Sequence, residues 1–486
     1  MLEYLFNMSN KTYTENGAVT NKSSGSDCLD FFATVGALRY VTNLEIITRF
    51  VRAFSENKNI AMKLLFFARD VRGGLGERRV FRIIIDWLAH NEPYSLEKNL
   101  PYLAEYGRYD DLVSLLGTPC EKKALEIIKE QLNKDIEAMA NGKEVSLLAK
   151  WLPSINTSSC EAVSKAKRIL KYLKMNNAQY RKTLSSLRSH IKIIENNLRE
   201  KDYTFDYEKQ PSKAMFKYRN AFMRNDEERY SKFLEAVTSG KAKLNADNVY
   251  PYELVQSVLD KDYLSEEEKA SLNATWNSLP DYGSDENILA VVDTSGSMYS
   301  CSCPTPASVA LSLGLYCAER NKGRFANHFI SFSTSPQLIE IRGESFVDRL
   351  RYVKTFEEIS DTNIEATFML ILSTAVKYNL PQEELPSKLV IISDMEFNYC
   401  TRNANATNFV NAKRMFEKYG YKLPQLVFWN VASRNKQQPV TKNEKGVALI
   451  SGCTPRLFSM VAGGIVDPYK LMLDVVNSPR YEQIKA

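Results

Sequence analysis

Histidine is almost missing from this chain: three in 486 residues, His90, His190 and His328, far apart in sequence. That leaves little material for an imidazole metal site or a Ser-His-Asp arrangement, and each reads as an ordinary surface or core histidine. Cysteine is sparse as well, with eight residues and no Cys-x-x-Cys pair. Cys301 and Cys303 are two apart, a spacing that suits neither a zinc knuckle nor an easy disulfide, so a reducing, cytoplasmic setting is expected. No apolar run approaches the ~18 residues of a membrane-spanning helix, and no membrane partner is expected. The first residues carry Glu3 and no basic start, so no secretory signal is expected either. No fixed repeat period is visible.

What is present is globular in composition: 44% hydrophobic and 25% charged residues. The length exceeds one compact core and suggests roughly three units. The net charge of +6 names no partner, but its distribution is uneven. Lys150 to Asn225 holds seventeen Lys and Arg against six Asp and Glu, and Tyr252 to Asp285 reverses the sign with two against eight.

The first ~280 residues repeat apolar positions at helical spacing, as in Leu44, Ile47, Phe50 and Phe54, or Ala124, Leu125, Ile128, Leu132 and Ile136. Leu184, Leu187, Ile191, Ile194 and Leu198 predict one longer helix. Turn chemistry separates these stretches, as at Gly73-Gly74-Leu75-Gly76 and Gly117-Thr118-Pro119. Paired helices that cannot each bury their apolar face must stack, which predicts an α-solenoid or helical ring. Past the acidic linker at Asp281–Asn287 the pattern changes to short apolar runs alternating with helices. Two of those runs end in carboxylates, Ile288–Asp293 and Leu389–Asp394. This predicts a doubly wound, Rossmann-like α/β unit whose ligands sit at the strands' carboxyl ends. The divisions expected are an N-terminal arm (1–35), a basic helical-repeat unit (36–283) and the α/β unit (286–486).

Asp293-Thr294-Ser295-Gly296-Ser297 puts one carboxylate and two hydroxyls on a single loop after a strand. Thr362, before a predicted helix, and Asp394, at the next strand end, complete five hard oxygen donors, with Thr367 a neighbouring alternative to Thr362. Such a set suits Mg²⁺ or Mn²⁺ with some ligands acting through water. Plain helix capping explains one Asp, but not a second strand-end Asp with the Thr between. The order and spacing resemble the metal-ion-dependent adhesion site of von Willebrand factor A domains. That resemblance implies a cation-dependent clamp for an acidic residue of a protein partner. An aspartyl-phosphatase reading needs a second carboxylate where Ser295 stands, so no enzyme and no small-molecule substrate are expected.

In the helical half, Arg72, Arg78 and Arg79 flank the glycine turn. The turn reads either as a phosphate cradle or as a tight interhelical turn with solvated arginines. Arg181, Lys182, Arg188 and Lys192 share the longer helix pattern, and Lys213, Lys217 and Arg219 follow on another. Tyr172, Tyr180, Tyr203, Tyr207, Phe216 and Tyr218 interleave with them, as a base-stacking surface requires, whereas solvated helix faces would carry the same charges. Stretches such as Phe66-Phe-Ala-Arg-Asp-Val-Arg-Gly-Gly-Leu-Gly-Glu-Arg78, Gly107-Arg-Tyr-Asp-Asp-Leu112, Leu148-Ala-Lys-Trp-Leu-Pro-Ser154 and Pro211-Ser-Lys-Ala-Met215 resemble the helical module of the Ro ribonucleoprotein (TROVE) class. They look closer still to an uncharacterised Ro-like branch. The resemblance implies a HEAT-like repeat ring closed by the A domain, small RNA on the basic surface and no catalysis.

Overall fold

The computed structural model describes residues 1, 5, 8–191, 193–299, 304–332, 335–356, 363–398 and 406–486. An antiparallel pair comes first, β1 (Lys11–Tyr13) with β2 (Val19–Asn21). Helices then run from Asp27–Phe32 to Glu266–Asn277. They form where the sequence places an apolar stripe and a cap together. Asn43–Glu56 buries Ile46, Arg49, Phe50, Ala53 and Phe54, a single face at helical spacing, and the Thr42 hydroxyl caps it by accepting from the Glu45 amide. Ser265 and Glu268 close a reciprocal capping box on the last of these helices. The longer helix predicted through Leu184–Leu198 does not form as one: it divides into Asn177–His190 and Ile194–Glu200.

The second half is a six-stranded sheet in the order β5-β4-β3-β6-β7-β8. Its strands are β3 (Ile288–Asp293), β4 (His328–Phe332), β5 (Gln337–Glu340), β6 (Lys388–Ser393), β7 (Gln425–Asn430) and β8 (Val447–Ser451). Every pair is parallel except the β4–β5 edge pair. β3 and β6 are buried at every position, the mark of strands covered on both faces. The sequence reading anticipated β3 and β6, the two apolar runs that end in carboxylates, and the alternation of strands with helices. It missed β5, whose exposed Gln337, Leu338 and Glu340 give no buried run, and it missed β8.

The strand order reverses between β3 and β6. From β3 the chain crosses through helix Pro306–Arg320 to β4 on one side; from β6 it crosses through Asn408–Lys418 to β7 on the other. The loops leaving the two strands therefore diverge and open a crevice at their carboxyl ends, which is where open α/β sheets bind ligands.

The halves are laced together at both chain ends. Residues from the expected arm lie against the sheet half: the Thr14 hydroxyl donates to the Phe397 carbonyl (2.6 Å), Asn21 bridges to Gln438, and the Phe32 carbonyl accepts from the Ser451 hydroxyl (3.2 Å). In return, the C-terminal residues cross back to the helical half. Arg480 grips the buried Asp70 carboxylate through two nitrogens (2.6 and 2.9 Å), and the Tyr481 hydroxyl donates to it as well (3.0 Å). Trp276 stacks on Phe346 at 4.3 Å and donates its indole N–H to Glu319, packing the last repeat helix against the sheet's helices.

Burial pulls the Asp70 carboxyl upward, but Arg480 and the amides of Arg72 and Gly73 outweigh it and leave the group below the usual carboxylate range. A lowered acid contributes stability that is present above its unfolded pKa of about 3.9 and lost as pH falls through the folded value. Asp70→Ala should therefore cost about 2–4 kcal/mol at pH 7, and the gap to wild type should narrow below about pH 4. Urea unfolding at both pH values checks this; an unchanged midpoint at pH 7 would contradict the clamp.

Candidate metal centre

Asp293 is the last residue of β3, and Asp394 follows the last residue of β6, so both carboxylates enter the crevice from adjacent strands. Asp293 is fully buried. One of its oxygens accepts from the Ser393 hydroxyl (2.5 Å) and the other from the Ser295 amide (2.9 Å). The Ser295 and Ser297 hydroxyls stand 3.2 Å apart, and Ser297 donates to Asp394 Oδ2 at 2.8 Å. Four predicted donors, Asp293, Ser295, Ser297 and Asp394, thus form one hydrogen-bonded constellation. Thr362 lies outside the described residues. Thr367, the neighbouring alternative, is buried in helix Ile364–Lys377, and its hydroxyl makes no hydrogen bond among the described residues.

The turn after β6 is built to aim Asp394. Met395 takes a left-handed backbone (φ 68°), held by its amide on the Ser393 hydroxyl (3.0 Å) and by the Glu396 amide on Asp394 Oδ1 (3.1 Å). Burial, and after it the neighbouring Asp394 charge, pushes the Asp293 carboxyl well above its ordinary range.

Among the described residues one guanidinium reaches the site. Arg434, in the loop after β7, places Nη2 on Asp394 Oδ2 (2.8 Å) and Nη1 on Glu15 Oε2 (3.0 Å). Around them, the buried Glu396 carboxylate accepts from the Glu15 amide (2.8 Å), Asn435 (2.8 Å) and Gln437 (2.7 Å). The sequence reading missed Ser393, Arg434, Glu396 and Glu15. Ser393 stood in the strand-end Ser-Asp pair, and Arg434 follows the strand next to β6, so the strand-end rule reaches both. Glu15, 381 to 420 residues from its partners in sequence, carried no signal.

The donors fit a hard divalent cation: two carboxylates and two hydroxyls, all oxygen. Among the described residues no group of three or more His, Cys, Asp and Glu side chains gathers as a metal site, so hydroxyls and water would have to fill the coordination. That suits Mg²⁺ or Mn²⁺ and argues against zinc.

In the helical half the glycine turn is not a phosphate cradle. The amides of Gly74, Leu75, Gly76 and Glu77 are spent on the carbonyls of Asp70, Phe67, Asp70 again and Ala68. A Cβ on Gly74 would sit 2.0 Å from the Phe67 carbonyl oxygen, so glycine is required there for packing. Arg79 is engaged with the Arg39 carbonyl and Asn43, and Arg72 donates to the Glu105 carbonyl. Arg78 is exposed with no ion pair among the described residues. Partial burial, and after it repulsion from Arg108 and Arg82, lowers its pKa.

Arg188 spreads its guanidinium over the Ala149 and Leu152 carbonyls and the Ser154 hydroxyl. Arg219 donates to the Phe216 carbonyl and Ser257, and Lys213 pairs with Glu253. Lys217 is exposed over the Tyr218 ring, Arg181 and Lys182 are exposed, and Lys192 lies outside the described residues. The interleaved aromatics are not a free stacking surface throughout: Tyr180 and Tyr207 are buried, Tyr207 within a cluster with Phe222, Tyr230 and Phe233. Yet Arg181, Arg188 and Arg199 do converge. With Ser154, Asn156 and Asn196 they line a cleft of about 430 Å³ that has no carboxylate among its lining residues.

Two family models match the chain. One, described as "Domain of unknown function (DUF2828)", matches residues 14–127 and 122–282, more than half of the sequence. The chain belongs to the DUF2828 family. The other, "Domain of unknown function (DUF7788)", matches residues 287–470, which contain the whole strand-end constellation of this DUF2828 protein. Its DUF2828 match begins at residue 14, so the segment that carries Glu15 goes with the helical half by sequence although it packs on the sheet half. "Uncharacterized protein L728" of Acanthamoeba polyphaga mimivirus is 29% identical over 519 residues, covering 97% of this chain and 90% of that protein. The crystal structure of the Deinococcus radiodurans Ro (RSR) protein aligns over 92% of each chain at 12% identity. Its TM-score of 0.39 is too low to carry an argument.

Proposed function

We propose that this is a non-catalytic binding protein whose strand-end site takes up Mg²⁺ or Mn²⁺ and through it an acidic side chain of a protein partner. The convergence of Asp293, Ser295, Ser297 and Asp394 at the switch point supports this reading. A bound cation there supplies an open coordination position for a carboxylate. The chain's own residues do the positioning. Ser393 orients Asp293, the Met395 turn fixes Asp394, and the Ser295–Ser297 pair presents hydroxyls between them. The position two residues after Asp293, where an aspartyl phosphatase carries its general acid, is Ser295, whose hydroxyl cannot take that role.

The basic helical half, in this reading a HEAT-like repeat ring, binds small structured or single-stranded RNA. The cleft lined by Arg181 and Arg199 with Asn156 and Asn196 favours it, because arginines and side-chain amides together fit phosphate oxygens and base edges. A protein scaffold without RNA is the alternative, in which the same arginines only solvate the helices.

Two outcomes follow. Mg²⁺ should stabilise the wild-type chain by about 2.7 kcal/mol at a concentration 100 times Kd, and should leave Asp293→Ala unmoved. Thermal unfolding with and without Mg²⁺ reads this, and equal shifts in both proteins would place the cation elsewhere. RNA affinity should fall with salt on a log–log slope of about −0.7 per neutralised phosphate for single strands. Arg181→Glu with Lys182→Glu should weaken binding at least tenfold, about 1.4 kcal/mol, while Asp293→Ala retains it. Wild-type affinity in the charge-reversed protein would favour the scaffold without RNA.

A further inference from the structure

Arg434 does more at the strand-end site than neutralise a carboxylate. Among the described residues it is the one basic side chain on either Asp293 or Asp394, and it bonds to Asp394 Oδ2, the same oxygen that Ser297 uses. Its other arm holds Glu15 (3.0 Å). Both side chains are accessible, 39% for Arg434 and 45% for Glu15, so the pair is solvated and exchangeable and not a locked core ion pair.

Glu15, by contrast, is placed deliberately. Its amide donates to Glu396, its other carboxylate oxygen accepts from Asn435 (2.9 Å), and its neighbours Thr14 and Asn16 bond to the Phe397 and Glu396 carbonyls. Residues 14–17 therefore sit on the segment that immediately follows Asp394. A divalent cation and a guanidinium on the same Asp394 oxygen would compete for its lone pairs and repel each other, so each weakens the other's hold.

We infer that Arg434 is a tethered cation that closes the site in the absence of metal, with Glu15 of the N-terminal arm as its latch, so that divalent metal and the latched arm exclude one another. The inference rests on the metal reading above and adds its regulation. Because coupling is reciprocal, the arm weakens metal binding to the same degree that metal loosens the arm. A partner that strips residues 14–17 from the sheet half would prime the site for metal.

Calorimetry of Mg²⁺ binding to the full chain tests it. Arg434→Gln should bind about ten- to a hundredfold tighter, the scale of one charge-assisted hydrogen bond no longer displaced. Glu15→Gln should tighten binding by less, and should add nothing in the Arg434→Gln background, since Glu15 acts through Arg434. Hydrogen exchange supplies a second readout: Mg²⁺ should speed exchange at residues 14–17 in wild type and not in Arg434→Gln. Unchanged or weaker affinity in Arg434→Gln, or a full Glu15→Gln effect in its background, would overturn the latch while leaving the metal site standing. No Mg²⁺ binding by wild type or Arg434→Gln, or tight binding that survives Asp293→Ala, would overturn both.

Discussion

Two carboxylates that enter one crevice from neighbouring parallel strands govern this architecture. Parallel pairing of β3 with β6 brings Asp293 and Asp394 together with no freedom to separate. At an effective dielectric of about 20, unit charges 4 Å apart repel by about 4 kcal/mol, so such a pair calls for positive charge. Hydrogen bonds from Ser393, Ser295 and Ser297 and one guanidinium supply part of it. A divalent cation would supply the rest. The left-handed Met395 turn fixes Asp394 beside Asp293, and the Glu396 network holds Glu15 and Asn435 next to them.

The two halves are interlaced at both chain ends. The N-terminal segment reaches the sheet half at Phe397 and Gln438, beside the site, and the C-terminal residues return to Asp70 in the helical half. Each half therefore carries a piece of chain belonging to the other. This crossing brings Glu15, matched by sequence with the helical family model, to the edge of a site built by the other. The proposed coupling of the site to the arm runs through these contacts, which two domains on a simple linker would not make.

Much of this was legible in the sequence because its signals are local. Runs such as Ile288–Asp293 announce strands through uninterrupted apolar, β-branched residues, and Asp-Thr-Ser-Gly-Ser at a strand end announces its own donors. The helical stripes were equally plain, as in Asn43–Glu56. What failed was long-range or depended on which atom a group spends. The glycine turn read either as a phosphate cradle or as a tight interhelical turn, because the sequence does not show its amides donating to Phe67, Ala68 and Asp70. Arg188 and Arg219 counted as free charges because main-chain carbonyls are invisible in a residue string. Tyr180 and Tyr207 read as stacking platforms, yet both are buried, since tyrosine suits either place. Arg434 and Glu15 could be joined to Asp394 only by folding the chain.

The central claim is that the strand-end oxygens hold a divalent cation. Anomalous diffraction from a crystal of the full chain grown with Mn²⁺ tests it most directly. The account predicts one peak enclosed by Asp293, Ser295, Ser297 and Asp394, with the Arg434 guanidinium withdrawn from Asp394. A crystal without a peak there, and with Arg434 still bonded to Asp394 at high Mn²⁺, would contradict it.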